Sequence, residues 1–247
     1  DNTSINCNFN YKPNKKTEVS AAYDYVTYDA DQNNSLLNKV YNANGTLNSS
    51  TNLISKLSSN LKITSIKTDF TTNIKNGKLE YGAKSSWVNT KNVAGFFDEL
   101  VGVLRPNWDF SNNFKYKENI KAAYINLSWD KGKMFSFQLG SRIENTGITG
   151  YSFGNPTKRD SSFKRDYTNF FPTIFINYKF DTLDKHVLSL NVGRRIDRPD
   201  YQDMNPFLSP LDRFTLYSGN PFLQPTFSYN VELTHTYKSN FSTTFTF

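Results

Sequence analysis

The charged residues that could do chemistry lie in two short stretches of this sequence. They are Arg142 and Glu144 in the first stretch, and Arg194, Arg195, Asp197 and Arg198 in the second. Guanidinium groups bind carboxylates and other anions through charge-assisted hydrogen bonds. The second stretch therefore binds an acidic ligand or forms salt bridges with Asp197, Asp200 and Asp203, and the nearby carboxylates favour the salt bridges.

Other reactive residues are few. The two histidines, His186 and His235, are not spaced as metal ligands, and the single cysteine, Cys7, is interpreted as a small hydrophobic residue. No nucleophile, phosphate-binding or dinucleotide-binding motif is found, so we expect no catalytic residue, no metal, no cofactor and no enzymatic activity. The net charge is +7, but the basic residues are scattered along the sequence, which argues against a nucleic-acid partner.

The elements that must position these residues are β-strands. About ten segments alternate apolar and polar residues with a period of two, such as Phe135, Phe137 and Leu139 against Ser136 and Gln138. No apolar run approaches the roughly 18–20 residues of a membrane-spanning helix. The sequence predicts an all-β fold, with short helical turns at 52–61 and 97–104 only.

The connections between these strands alternate in length. Tight turns are predicted at 13–16, 76–78, 130–133, 181–186 and 238–240, and long polar loops at 29–60, 90–117, 145–167 and 197–225. Short turns at one end and long loops at the other are typical of an antiparallel transmembrane β-barrel. Aromatic residues beside the turns agree with a membrane interface. They are Tyr11, Trp129, Phe135, Tyr178, Phe180, Tyr237 and Phe241.

Ten strands leave the closure of the barrel open. Every backbone N–H and C=O must be paired in hydrocarbon. The strand near Thr3 therefore pairs with the strand that ends at Phe247, which gives a small ten-stranded barrel, or it pairs with strands of a larger barrel outside this sequence.

Four segments resemble a known family. They are GSRIENT at 140–146, FFPTIFINYKF at 170–180, RRIDRPDYQDMNPF at 194–207 and SGNPFLQPT at 218–226. In order and spacing they resemble the outer-membrane β-barrel family related to TonB-dependent receptors, common in Gram-negative Bacteroidetes. The resemblance implies a full barrel of about 22 strands with an N-terminal plug. Residues 1–247 are then expected to be a single barrel segment without a plug domain.

The resemblance also implies a function. We expect a receptor in the cell outer membrane that imports a nutrient recognised by long extracellular loops. The implied partners are outer-membrane lipid and lipopolysaccharide, whose phosphates are a second candidate anion for the arginines. A TonB energising complex acting on the plug is also implied, and a surface lipoprotein is a further candidate. Two alternatives stay open: a self-contained small barrel acting as adhesin or passive pore, and a soluble β-rich carbohydrate-binding module.

Overall fold

The described residues form thirteen β-strands. A computed structural model describes residues 1–247 except Val101, Asp184, Tyr201, Gln202, Pro206, Phe207, Arg213 and Phe214, together with the side chains of Leu208 and Ser209. The strands are β1 Asn2–Tyr11, β2 Thr17–Tyr41, β3 Leu47–Ile74, β4 Gly77–Leu100, β5 Val103–Pro106, β6 Asn112–Lys131, β7 Phe135–Phe153, β8 Ser161–Lys179, β9 His186–Asp197, β10 Leu208–Pro210, β11 Leu216–Ser218, β12 Thr226–Tyr237 and β13 Phe241–Thr246. Among the described residues, no helix is long and apolar enough to cross a membrane.

Ten of these strands make one antiparallel meander. The hydrogen-bonded order is β1-β2-β3-β4-β6-β7-β8-β9-β12-β13, with β5 attached to β4, and β10 and β11 form a separate hairpin. Each strand pairs with its neighbour along this path, and the path ends at β1 and β13 without a pairing between them in the described part of the chain. The all-β prediction with about ten strands is confirmed, and this chain does not close a ten-stranded barrel on itself.

The two faces of this sheet differ in polarity. On β7, Phe137 and Leu139 point to the same face as Trp129 and Leu127 of β6, and their neighbours Gln138 and Ser128 point to the other face. Leu139 is 45% exposed, and many other large apolar side chains on this outer face are exposed as well. The outer apolar band of β7, Phe135–Ile143, has the length that a tilted strand needs to cross the hydrocarbon core.

No second sheet covers the apolar face among the described residues. Val231, which a β-sandwich would bury, is 38% exposed, and Phe137 and Leu190 are only half-buried. This exposure differs from the dry, two-layered centre that a soluble β-rich module requires.

The predicted turns and aromatic positions agree with the structure. All five tight turns join neighbouring strands at one end of the sheet. The aromatic side chains beside them pack in pairs, such as Trp129 with Phe137 at 5.5 Å between ring centroids and Tyr178 with Phe180 at 5.0 Å. Trp129 also donates from Nε1 to the carbonyl of Lys75 at 3.3 Å. These rings line the turn end of the outer face, where a membrane interface favours them.

Three of the four predicted long loops are wrong, because their residues mostly extend the strands. β2 and β3 stay paired to Tyr41 and Leu47, β4 continues to Leu100, and β7 and β8 meet near residues 154–160. The predicted helical turns at 52–61 and 97–104 are also strand. Beyond the apolar band the outer face of the strands is polar, as at Lys115 and Lys117 of β6, so the alternation of an apolar outer face with a polar inner face stops while the backbone ladder continues.

The connection between β9 and β12 is the one long irregular loop among the described residues. It runs from 198 to 225, carries the β10–β11 hairpin, and is called the inner loop below. It covers a small core on the inner face of the sheet, formed by Phe114, Tyr116, Ile148 and Met204.

Candidate functional site

The inner loop is packed on the inner wall of β6, β7 and β8. Met204 of the loop and Phe114 of β6 are each only 1% exposed, and they pack with Tyr116 and Ile148. Phe163, Tyr167 and Leu223 complete the contact. Since even-numbered residues of β6 and β7 face inward, this wall projects Tyr116 and Ile148 to one side and lysines to the other.

A charged cluster ties the loop to the wall beside this core. Arg198, the first residue of the loop, donates from Nη2 to Glu144 Oε2 and to Thr146 Oγ1, the latter at 3.3 Å. Its Nε lies 3.8 Å from Glu118 Oε1. The side chains of Arg198 and Glu144 are 24% and 7% exposed, so the pair is largely removed from water.

The electrostatics of this cluster favour a charged Arg198. Burial by itself lowers the pKa of Arg198, but the hydrogen bond and charge of Glu144, with the charges of Tyr167 and Glu118, raise the pKa above its usual value. A buried carboxylate without its guanidinium partner would cost several kcal/mol. The wall carboxylates therefore require Arg198 to stay in place, and the loop with it.

Two further features fix the far end of the loop. Arg165 of β8 donates from Nη1 to the carbonyl of Leu223 and from Nη2 to the carbonyl of Pro221 at 2.8 Å. The backbone at Gly219 passes very close to the backbone at Asn205, and a Cβ on Gly219 would lie 2.4 Å from the carbonyl oxygen of Asn205. Gly219 is therefore required by a close approach of two backbone segments.

The six residues singled out in the sequence do not form one cluster. Arg142 Nε lies 2.6 Å from Glu144 Oε1, so these two join Arg198 on the inner wall. Arg194 lies elsewhere, directly after Gly193, which is the last residue of β9 that pairs with β8. It donates to the carbonyl of Phe170 at 2.8 Å and stacks on the Phe227 ring at 4.3 Å. Arg195 and Asp197 are exposed residues of β9 on its inward-facing register.

The expected pairing of the arginines with loop aspartates differs from what the structure describes. Arg198 pairs with Glu118 and Glu144, which lie on strands far away in the sequence. Asp203 accepts a hydrogen bond from the Tyr217 hydroxyl at 2.7 Å. Four residues of the motif that was singled out, Tyr201, Gln202, Pro206 and Phe207, lie outside the described residues.

Sequence reasoning missed Glu118, Thr146, Arg165 and Met204. Inward parity on adjacent strands would have placed Glu118 and Thr146 on the same face as Glu144, but it gives no indication of which loop covers them. The strand pairing brings the two histidines together, and His186 Nδ1 lies 3.1 Å from His235 Nε2 at the turn end of β9 and β12. The described residues hold no group of three or more histidine, cysteine or acidic side chains suited to a metal ion.

A single sheet with an apolar outer face and a covered inner face defines a wall of an outer-membrane β-barrel. Residues 10–247 match the outer membrane protein beta-barrel family, and the chain belongs to this family. The protein is therefore located in the outer membrane. No curated protein gives a significant match to the sequence.

Solved structures with the same fold are outer-membrane receptors and transporters. The ferric yersiniabactin uptake receptor FyuA from Yersinia pestis has a TM-score of 0.63 and 11% identity, over 97% of this chain and 33% of that one. The copper transporter OprC has a TM-score of 0.62 and 12% identity, over 97% and 36%. The unliganded ferric citrate transporter FecA has a TM-score of 0.59 and 14% identity, over 97% and 32%.

Identities this low show the fold alone. The chain spans about a third of the length of these three proteins. Its strands therefore correspond to part of the barrel wall of these proteins.

Proposed function

We propose that this chain is part of the wall of a TonB-dependent outer-membrane receptor that imports a nutrient. The observation that carries the proposal is the inner loop, which is fixed over the inner wall by Arg198, Met204 and Arg165. A loop held inside a barrel narrows the passage and presents its own residues to whatever enters. Residues 1–247 are proposed to be a single barrel segment, with the plug and TonB contact supplied by a part of the protein outside this chain.

Within this receptor the predicted residues take separate roles. Arg198 and Glu144 position the inner loop, because their ion pair is buried between loop and wall. Arg142, Arg195 and Asp197 keep exposed polar groups on the inner face, where a ligand or a plug could contact them. Arg194 of β9 joins its two neighbouring strands, because it donates to the Phe170 carbonyl of β8 and stacks on Phe227 of β12.

Energised uptake by the full-length protein tests the proposal. Cells lacking the gene and complemented cells are supplied in turn with ferric citrate, ferric yersiniabactin, copper ions and an oligosaccharide mixture. The first three probes are taken from the names of the similar structures. We expect complementation to restore uptake of one class of nutrient, and a protonophore to abolish it. Steady ion conductance of the purified protein in a planar bilayer, with uptake unaffected by the protonophore, would instead indicate a passive pore.

A paired variant connects this function to the inner loop. In Arg198→Gln with Glu144→Gln, the charges that hold the loop are removed together, and we expect uptake to fall at least about tenfold while the protein still reaches the outer membrane. The matched control, Lys78→Gln with Glu80→Gln, removes an ion pair of 2.5 Å on the same inner face near the turn end. Equal uptake by both variants would contradict a role of the inner loop.

Accessibility of engineered cysteines tests the orientation of the wall. With Cys7→Ser as background, Asn44→Cys lies between β2 and β3 at the loop end, and Asn14→Cys lies in the tight turn between β1 and β2. We expect a membrane-impermeant maleimide to label Asn44→Cys on intact cells and Asn14→Cys only after the outer membrane is opened. The reverse labelling would invert the proposed orientation.

A further inference from the structure

Six lysines share the outer face of the sheet just beyond the apolar band. On β6 this face carries Lys115, Lys117 and Lys121 and then, without interruption, Ala123 and Ile125. Strand register brings lysines of three other strands beside them. Across β3, β4, β6, β7 and β8, one row of directly paired residues is Lys62, Asn89, Lys117, Thr149 and Lys164.

The next row brings two lysines face to face. Lys91 of β4 is paired directly with Lys115 of β6. Like charges opposite each other in a sheet are destabilising, so an arrangement of this kind favours an anionic partner. The row from Lys62 to Lys164 spans four strand spacings, or roughly 19 Å, which is wide enough for more than one phosphate group.

The six lysines are exposed and lack carboxylate partners in the described part of the chain. All six side chains are exposed, while Phe114 and Tyr116 between them are buried on the inner face. The ion pairs that the structure describes involve other lysines and arginines. Two carboxylates also lie on this outer face. Asp166, which is paired with Gly147 and is two residues from Lys164, accepts a hydrogen bond from Asn145, and Asp29 of β2 accepts one from Asn60.

A hollow of about 310 Å³ lies in the middle of this lysine face. It is lined by Trp87, Asn89, Lys117, Asn119, Gly147 and Lys164, and also by Glu118, whose carboxylate lies 3.8 Å from Arg198 Nε. Gly147 leaves the floor open, because a Cβ there would meet only Asp166 Oδ2, at 3.5 Å. The hollow therefore combines an indole ring, amide groups and two ammonium groups. One row of polar residues separates it from the apolar surface below, and this row consists of Ser85, Lys121, Asn145 and Thr168.

We infer that this lysine face binds the phosphate-bearing headgroup of an outer-leaflet glycolipid, the lipid A part of lipopolysaccharide. The ammonium groups would contact the phosphates, Trp87 and the amides would contact the sugar, and the acyl chains would lie along the apolar residues below. The inference rests on the proposed orientation, with the loop end facing outward. The fold therefore collects on one surface six lysines that are scattered along the sequence.

Binding of purified lipid A tests this inference. The delipidated full-length protein in detergent is titrated with lipid A that carries its phosphates and with dephosphorylated lipid A. For Lys62→Gln/Lys117→Gln/Lys164→Gln we expect affinity for phosphorylated lipid A to fall roughly 100-fold, since each lysine at an anionic surface contributes about fivefold. Gly147→Val fills the hollow without changing the charge, and we expect it to weaken binding as well.

Matched controls separate a specific site from general attraction. Lys15→Gln/Lys75→Gln/Lys133→Gln removes three exposed lysines at the turn end and should bind lipid A as the unaltered protein does. Undiminished binding by the lysine-face variant, equal binding of dephosphorylated lipid A, an equal loss in the control, or equally tight binding to phosphatidylglycerol vesicles would each overturn the inference. Uptake measured on the same variants tests the proposed function separately, because none of these lysines contacts the inner loop.

Discussion

Two apolar regions of this molecule are covered in different ways, one by lipid and the other by protein. On the membrane half of β7, Leu139 and Ile143 face outward and stay exposed to their surroundings. On the outer half of β6, Phe114 and Tyr116 face inward and are buried under the inner loop. The comparison teaches that the same strands carry apolar residues on the outer face within the membrane and on the inner face beyond it. Lipid covers the first region, and the protein must supply its own cover for the second.

The largest expected effect would break the inner region. Phe114→Ala removes a fully buried ring between the wall and Met204, and substitutions of this kind cost about 3–5 kcal/mol. We expect the inner loop to lose its packing against the wall and to become sensitive to protease in lipid vesicles, while the membrane-spanning strands stay paired. A cleavage rate equal to that of the unaltered protein would show that the loop is held elsewhere.

A smaller effect would break the outer region. Leu139→Arg places a charge near the middle of the lipid-facing band, which costs about 2–4 kcal/mol. The adjacent Gln138→Arg places the same charge on the inner face, where water solvates it, and should cost little. Urea unfolding in vesicles measures both, and equal stability of the two variants would contradict the assignment of faces.

The smallest effect sharpens the comparison at the turn end, away from both regions. Backbone N–H groups of Lys185, Leu183 and His186 donate to the Asp181 carboxylate and lower the pKa of Asp181 below its usual value. A lowered pKa stabilises the turn at neutral pH, and this contribution is lost as the pH falls from about 4 through the pKa of the folded state.

Amide exchange of the β8–β9 turn measures this contribution. We expect the protection factors of the unaltered protein to fall on acidification toward those of Asp181→Ala, which should change little over the same range. A constant difference between the two proteins at every pH would show that the carboxylate charge is not involved.

The membrane half of each strand could be predicted from the sequence. Phe135, Phe137 and Leu139 alternate with polar residues because one face meets hydrocarbon and the other water, and that contrast is written in the chain with a period of two. The tight turns and the aromatic residues beside them followed from the same contrast. Beyond the membrane the contrast ends, and segments such as 52–61 gave no strand signal.

The candidate site could be predicted only in part. Arg142, Glu144 and Arg198 were singled out by residue type, but the partners of Arg198 are residues of β6 and β7 that lie 52 or more positions away in the sequence. Spacing within a motif cannot report such contacts. It suggested Asp197, Asp200 and Asp203 as partners because they are near in sequence.

The sequence by itself determined which residues alternate, where the chain turns and therefore that the sheet presents one apolar face. Only the tertiary structure decided which residues of different strands lie side by side on each face of the sheet. Pairing in register brought Lys62, Lys117 and Lys164 into one row, and folding of the inner loop brought Arg198 to Glu144. The physical reason is that alternation is a local property of the backbone. Register and loop packing are fixed by contacts between segments that are distant in the chain.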